Sequence, residues 1–115
     1  MKTFLALYMG SGDPAAPSPA EMSREAIGKG MAAWGAWMED HAKDVVVTGG
    51  PLGKTKRIAR DGISDIRNAV AGFVVVQAES HQAAAKMFEG HPHFSIFPGD
   101  SVEIMEQLPI PTAPG

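Results

Sequence analysis

Val70-Ala-Gly-Phe-Val-Val-Val-Gln-Ala78 is the stretch that decides the fold. It is short, β-branched at its centre and apolar at both alternations, so it reads as a strand buried on both faces. Working outward, Ser80 caps a helix over residues 80–89 whose inner face carries Ala84, Met87 and Phe88, and Gly90 ends it. Ser101–Leu108 alternates Val102 and Ile104 against Glu103 and Met105, the pattern of a half-buried strand. On the other side, Val45-Val-Val-Thr48 is a second β-branched strand, interrupted by Gly49-Gly-Pro51 as a bulge or an edge-strand bend would do. Lys54–Arg60 sets Lys54, Lys56, Arg57 and Arg60 around Ile58 and reads as a solvated extension or edge, ended by an Asp61-Gly62 turn.

The N-terminal part supplies one strand and one helix. Thr3–Met9 is a short apolar run bounded by turn residues, and Gly10–Pro17 is a loop. Ser18-Pro-Ala-Glu21 has the form of a capping box with proline at the first helical position. Ile27, Met31, Trp34 and Met38 then recur at helical spacing, and the helix ends near His41–Lys43. The element order is β-α-β-β-α-β, an α+β chain on the ferredoxin-like plan: an antiparallel sheet with both helices on one face. The other face is left bare and apolar, and pairing two copies sheet against sheet covers it. Such a homodimer also encloses space for a small-molecule ligand. Residues 1–108 form a single domain in this reading, and 109–115 are a Pro-rich C-terminal tail.

Composition narrows the function. The chain has 115 residues, 44% hydrophobic and 20% charged, with a net charge of -3 and no cysteine. That describes a globular domain, and it excludes disulfides, zinc–thiolate sites and cysteine nucleophiles. No basic stripe is visible, so nucleic acid is not the expected partner. No segment approaches the length of a bilayer span, so no membrane association is expected, and residues 1–10 read as a buried strand rather than a leader. A cysteine-free domain of this size fits a cytoplasmic location.

Trp34-Gly-Ala-Trp37, Val47-Thr-Gly-Gly-Pro-Leu-Gly53, Gly72-Phe-Val-Val-Val-Gln-Ala-Glu-Ser80, Gly90-His-Pro-His93 and Val102-Glu-Ile104 cover most of the chain in a fixed order. Together they resemble the YCII-related family, a branch of the dimeric α+β barrel superfamily. The resemblance implies a ferredoxin-like protomer that dimerises through its sheet. It implies little chemistry, because the superfamily holds monooxygenases, isomerases and non-enzymatic binders. Some members carry a helix histidine paired with an aspartate, where this chain has Ala33 or Trp34. Others carry Asp-Gly-Pro-Phe, where this chain has Asp61-Gly-Ile-Ser64. Neither signature carries over.

The candidate chemistry lies in Gly90-His-Pro-His-Phe94. His91 and His93 flank Pro92, and in an extended segment they point the same way. A neutral imidazole there can act as a base, with Asp100 orienting it. His-x-His supplies only two metal ligands, and Glu89, Asp100 or Glu103 would have to complete a set, so no metal is assigned. Trp37, at the edge of the helix face, is the better pocket candidate, whereas Trp34 shares the core face with Ile27 and Met31. Tyr8 and Phe94 complete the candidate ligand-binding residues. His41 and His81 are expected at helix ends, exposed. Gly49-Gly-Pro-Leu-Gly-Lys-Thr55 contains Gly-Lys-Thr, but Thr48 stands where a phosphate loop needs glycine and no helix pattern follows. The functional expectation is a cofactor-free acid/base enzyme acting on a small molecule through this His loop. The alternative is a non-catalytic small-ligand-binding or accessory module.

Overall fold

The computed structural model describes residues 1–10 and 22–111. Its elements are β1 (Lys2–Gly10), α1 (Arg24–Asp40), β2 (Val45–Pro51), β3 (Thr55–Ala59), β4 (Gly62–Ile66), β5 (Val70–Ala78), α2 (His81–Lys86), α3 (Pro92–Ser95) and β6 (Gly99–Glu106). Four strands form an antiparallel sheet in the order β2-β5-β1-β6, and β3 and β4 pair as a separate hairpin. The α+β plan read from the sequence is therefore present, with this hairpin inserted between β2 and β5.

The period-two alternation of the central strands sorts residues onto two faces. Phe4, Ala6 and Tyr8 of β1 and Val74, Val76 and Ala78 of β5 form the core with Trp37, Ala84 and Phe88 from the helical side. Val102 and Ile104 of β6 and Trp34 and Met38 of α1 pack against it. All helical contributors join this one set, so the helices cover a single face. Leu5, Leu7, Phe73 and Val75 alternate with the core residues and point to the other face, where they are half-buried by their neighbours in the sheet.

Several elements differ from the sequence reading. The start of α1 is at Arg24, where the Ser23 hydroxyl accepts from the Ala26 amide at 3.1 Å. Ser18–Glu21 and most of the Gly10–Pro17 loop lie outside the described residues. The inward face of α1 is Gly30, Trp34 and Trp37, while Met31 is 61% exposed. β2 runs on through Pro51 rather than ending at Thr48, while the expected irregularity at Gly49 and Gly50 is present as a register shift against β5. Lys54–Arg60 does not stay an open extension: Thr55–Ala59 pairs with Gly62–Ile66 around the Arg60–Asp61 turn. The helix over 80–89 stops at Lys86, and β6 ends at Glu106 rather than Leu108. Of the expected tail, residues 109–111 carry no regular structure and 112–115 lie outside the described residues.

Gly49 is the position that lets β2 follow β5. Its φ is +62°, and a Cβ there would run into the Phe73 carbonyl oxygen, whereas Gly50 has open space around it. Gly49→Ala is expected to lower the urea midpoint by the equivalent of about 2 kcal/mol or more, and Gly50→Ala by less than about 1 kcal/mol. Equal effects at the two positions would remove this account of the β2 bend.

Candidate functional site

The segment after α2 builds the site. Gly90 reverses the chain at φ +69°, and His91 follows in an extended conformation as the N-cap of α3. Pro92 takes the first helical position, where its missing N–H costs nothing. The His91–His93 segment is therefore a helical turn, not the extended stretch expected from the sequence. The His93 amide donates to Nδ1 of His91 at 2.9 Å. With Nδ1 accepting, the ring proton of neutral His91 sits on Nε2, which donates to the Tyr8 hydroxyl oxygen at 3.3 Å. The His93 ring takes the same tautomer for a different reason: its Nε2 lies 2.8 Å from the Met9 carbonyl and must donate.

Aromatic rings enclose His91. Trp34 meets it edge-on at a centroid distance of 4.6 Å and an interplanar angle of 86°. Trp37 lies at 4.7 Å, Tyr8 at 5.1 Å and Phe88, nearly parallel, at 5.7 Å. His91 is fully buried, with Tyr8 at 3% and His93 at 6% exposure. This environment disfavours charge. Burial, then the neighbouring His93 and His41, lower the His91 pKa from 6.5 to about 4, and burial raises that of the Tyr8 hydroxyl. At neutral pH the pair is a neutral imidazole and a protonated phenol in an apolar cage. It can hold and polarise an oxygen atom, and it can pass a proton.

The sequence-predicted residues divide clearly. His91, His93 and Tyr8 come together. Trp37 touches His91 but belongs to the core, with its indole N–H donating to the Met87 carbonyl at 2.9 Å. Phe94 lies 40% exposed on the outer side of α3. Asp100 does not orient either imidazole: both rings have the partners given above, and Asp100 is exposed, its Oδ2 accepting from the Ser101 hydroxyl at 3.2 Å. The register shift between Met9 and Gly10 breaks the alternation that sets Val102 and Ile104 on the core face, so Gly99 rather than Asp100 faces His93. His81 is exposed and donates to the Ile104 carbonyl at 2.7 Å. His41, expected in solvent, is half-buried, stacked on Trp37 at 4.3 Å and bonded to the Trp37 carbonyl. Gly53-Lys-Thr55 leads into strand β3, so no helix N-terminus faces that loop.

Trp34, read from the sequence as a core residue, packs against the core and also meets His91 edge-on, while Phe97, Gly30 and Gly99 carried no signal. Gly30 leaves the space that the Phe97 ring fills, and Phe97 packs on Trp34 at 5.8 Å. Gly99 leaves the space occupied by the His93 ring and carbonyl. Of the three glycines in α1 only Gly30 admits a neighbour in this way, since Gly28 and Gly35 have open space around them. Among the described residues no three His, Asp or Glu side chains are grouped to hold a metal ion. No helix of the described residues is long and apolar enough to cross a membrane.

The model of the YCII-related domain matches residues 12–107. Among solved structures, the chain is similar to the 5-chloro-2-hydroxyhydroquinone dehydrochlorinase TftG from Burkholderia phenoliruptrix AC1100, in complex with 2,5-dihydroxybenzoquinone. The TM-score is 0.57 at 17% identity, covering 92% of this chain and 93% of that one. At that identity the likeness concerns the fold. Comparison with curated proteins gives no match.

The His91 pKa sets a stability profile. Its folded value lies below its unfolded value, so between about pH 4 and 6.5 the unfolded chain binds more protons. The contribution is complete above 6.5 and is lost as pH falls toward 4, on the order of 3 kcal/mol over the whole interval. Urea midpoints from pH 7 to 4 should fall more steeply for the wild type than for His91→Asn. Parallel profiles would show that His91 charges as easily folded as unfolded. Gly99→Ala should displace the His93 ring and break its bond to the Met9 carbonyl, read as a shift in the His93 imidazole resonances.

Proposed function

Since this chain belongs to the YCII-related domain family, we propose that it is a cofactor-free acid/base enzyme acting on a small, planar, oxygen-bearing molecule, with Tyr8 and His91 as the proton-transferring pair. The observation that carries this reading is the buried Tyr8–His91 hydrogen bond inside the aromatic cage. His91 donates through Nε2–H, so the Tyr8 proton is directed away from the imidazole, toward an incoming oxygen or carbon. When Tyr8 gives up that proton, Nε2–H stabilises the phenolate left behind. Burial keeps Tyr8 protonated at neutral pH, which suits a general acid. Trp34, half-buried at the margin of the cluster, is placed to stack on a planar ring. The hydroxyquinone held by TftG supports choosing that ligand class.

The same reading places the domain over residues 1–108 in a homodimer, with Leu5, Leu7, Phe73 and Val75 of each uncovered sheet face packed together. It places the protein in the cytoplasm, on the cysteine-free sequence. One observation favours a second reading, a binding or accessory module without turnover: among the described residues no carboxylate bonds to either imidazole of the cluster.

The test uses hydroxylated benzoquinones and arylpyruvates as probes, with turnover followed by ultraviolet absorbance and binding by tryptophan fluorescence. Turnover that falls about 100-fold or more in Tyr8→Phe, with binding retained, supports the enzyme. Quenching without turnover in the wild type supports the binding module. Neither quenching nor turnover with any probe would remove this ligand class.

A further inference from the structure

The root of the β3–β4 hairpin opens into a cleft of about 730 Å³, lined by none of the residues around His91. That volume lies in the range of small-molecule sites. Three cations line it, Lys54, Lys56 and Arg67, against one carboxylate, Asp65, which leaves two positive charges in excess. Lys56 and Asp65 stand opposite each other in the hairpin register and form an ion pair at 2.7 Å. Lys54 and Arg67 form no ion pair among the described residues, and both are exposed. They sit just beyond the last register pair, Thr55–Ile66, one on each strand's continuation. The hairpin thus brings two uncompensated cations to the same end. Their mutual repulsion is relieved by an anion placed between them.

Neutral groups add to this cradle. Asn68 Oδ1 accepts from the Val70 amide at 3.0 Å, which fixes the orientation of its side chain, and its amide nitrogen donates to Thr55 Oγ1 at 3.4 Å. With Oγ1 accepting from Asn68, the Thr55 hydroxyl proton is directed elsewhere and can donate to a ligand. Lys54 and Thr55 belong to the Gly53-Lys-Thr55 run, which is no phosphate loop because a strand follows it. In this cleft the same residues contribute side chains instead of backbone amides. An ammonium, a planar guanidinium fork and a hydroxyl together suit the oxygens of a phosphate group. Ile66 and Val70 give the cleft an apolar wall that a bare ion does not use. Arg57 and Arg60 lie outside the cleft, so its own cations match one phosphate rather than a chain of them.

We propose that this cleft binds a small molecule carrying a phosphate monoester, with Lys54 and Arg67 holding the phosphate, Thr55 donating to it, and Ile66 and Val70 against the carbon skeleton. The two excess positive charges match the nearly two negative charges of the ester at neutral pH. Asp65 opposes the anion and keeps Lys56 engaged, so it limits the affinity. This site is separate from the Tyr8–His91 pair and depends neither on that pair's chemistry nor on dimerisation.

The test titrates the full ¹⁵N-labelled chain with phenyl phosphate at constant ionic strength and about pH 7.5, where the ester is dianionic. Inorganic phosphate and an oligothymidylate serve as comparison probes. The expected result is saturable amide shifts at residues 53–56 and 65–70, with phenyl phosphate bound more tightly than inorganic phosphate. Lys54→Met and Arg67→Met should each weaken phenyl phosphate about tenfold or more, whereas Asp65→Asn should strengthen it. All three positions are exposed, so these substitutions spare the core. Shifts that do not saturate, or an affinity indifferent to Lys54 and Arg67, overturn the site. Equal affinity for inorganic phosphate overturns the ester assignment. Tighter binding of the oligothymidylate, with shifts spreading to Arg57 and Arg60, overturns the small-molecule assignment in favour of nucleic acid.

Discussion

His91 is bonded at both ring nitrogens in a place where burial disfavours its charged form. The His93 amide occupies Nδ1 and the Tyr8 hydroxyl faces Nε2, while rings of α1, of β1 and of Phe88 in the turn after α2 close around the imidazole. A proton added to Nδ1 would point at an N–H group in an apolar cage, losing a hydrogen bond and gaining an unpaired buried charge. Much of the local backbone follows from that constraint. Gly90 turns the chain with a positive φ, Pro92 starts α3 without an N–H to satisfy, and Gly99 vacates the volume taken by the His93 ring. Gly72 serves the sheet instead, since an added Cβ there would lie 3.0 Å from the Gly50 carbonyl oxygen of β2.

The same geometry joins the sheet to the chemistry. β1 brings Tyr8 and the Met9 carbonyl to successive positions at its C-terminal end, and each meets one histidine. Helix α1 supplies two tryptophans three residues apart, one sealed into the core and one at the margin. A substrate oxygen reaching this cluster would therefore meet neutral donors in a low-dielectric setting, where a hydrogen bond is electrostatically stronger than in water.

The sequence made the fold legible wherever one periodicity dominated. Val70–Ala78 and Thr3–Met9 are strands in the structure, and the element order predicted the antiparallel sheet with helices on one face. Helix faces were less legible. Ile27 and Met31 drew the predicted face of α1 one way, whereas Gly30 set it another, because an absent side chain made room for Phe97. Hydropathy has no means of scoring a missing Cβ. The hairpin partner strand Gly62–Ile66 was invisible because both its faces are exposed, so no burial pattern marks it. In the site, Gly90-His-Pro-His93 could be singled out, and so could Tyr8. Asp100 could not be excluded from sequence, since it shares the parity of the core-facing Val102 and Ile104, and the register shift opposite Gly99 is not visible in the residues. The tertiary partners of His91 come from residues more than fifty positions away, and no local pattern encodes them.

The His91 imidazole stays neutral well below pH 6.5, and nitrogen NMR of its ring observes that state directly. A ¹⁵N titration should find Nε2 protonated and Nδ1 unprotonated and hydrogen-bonded from pH 8 down through 5, with protonation only near pH 4. Protonation of His91 near pH 6.5, or a proton resident on Nδ1, would contradict it.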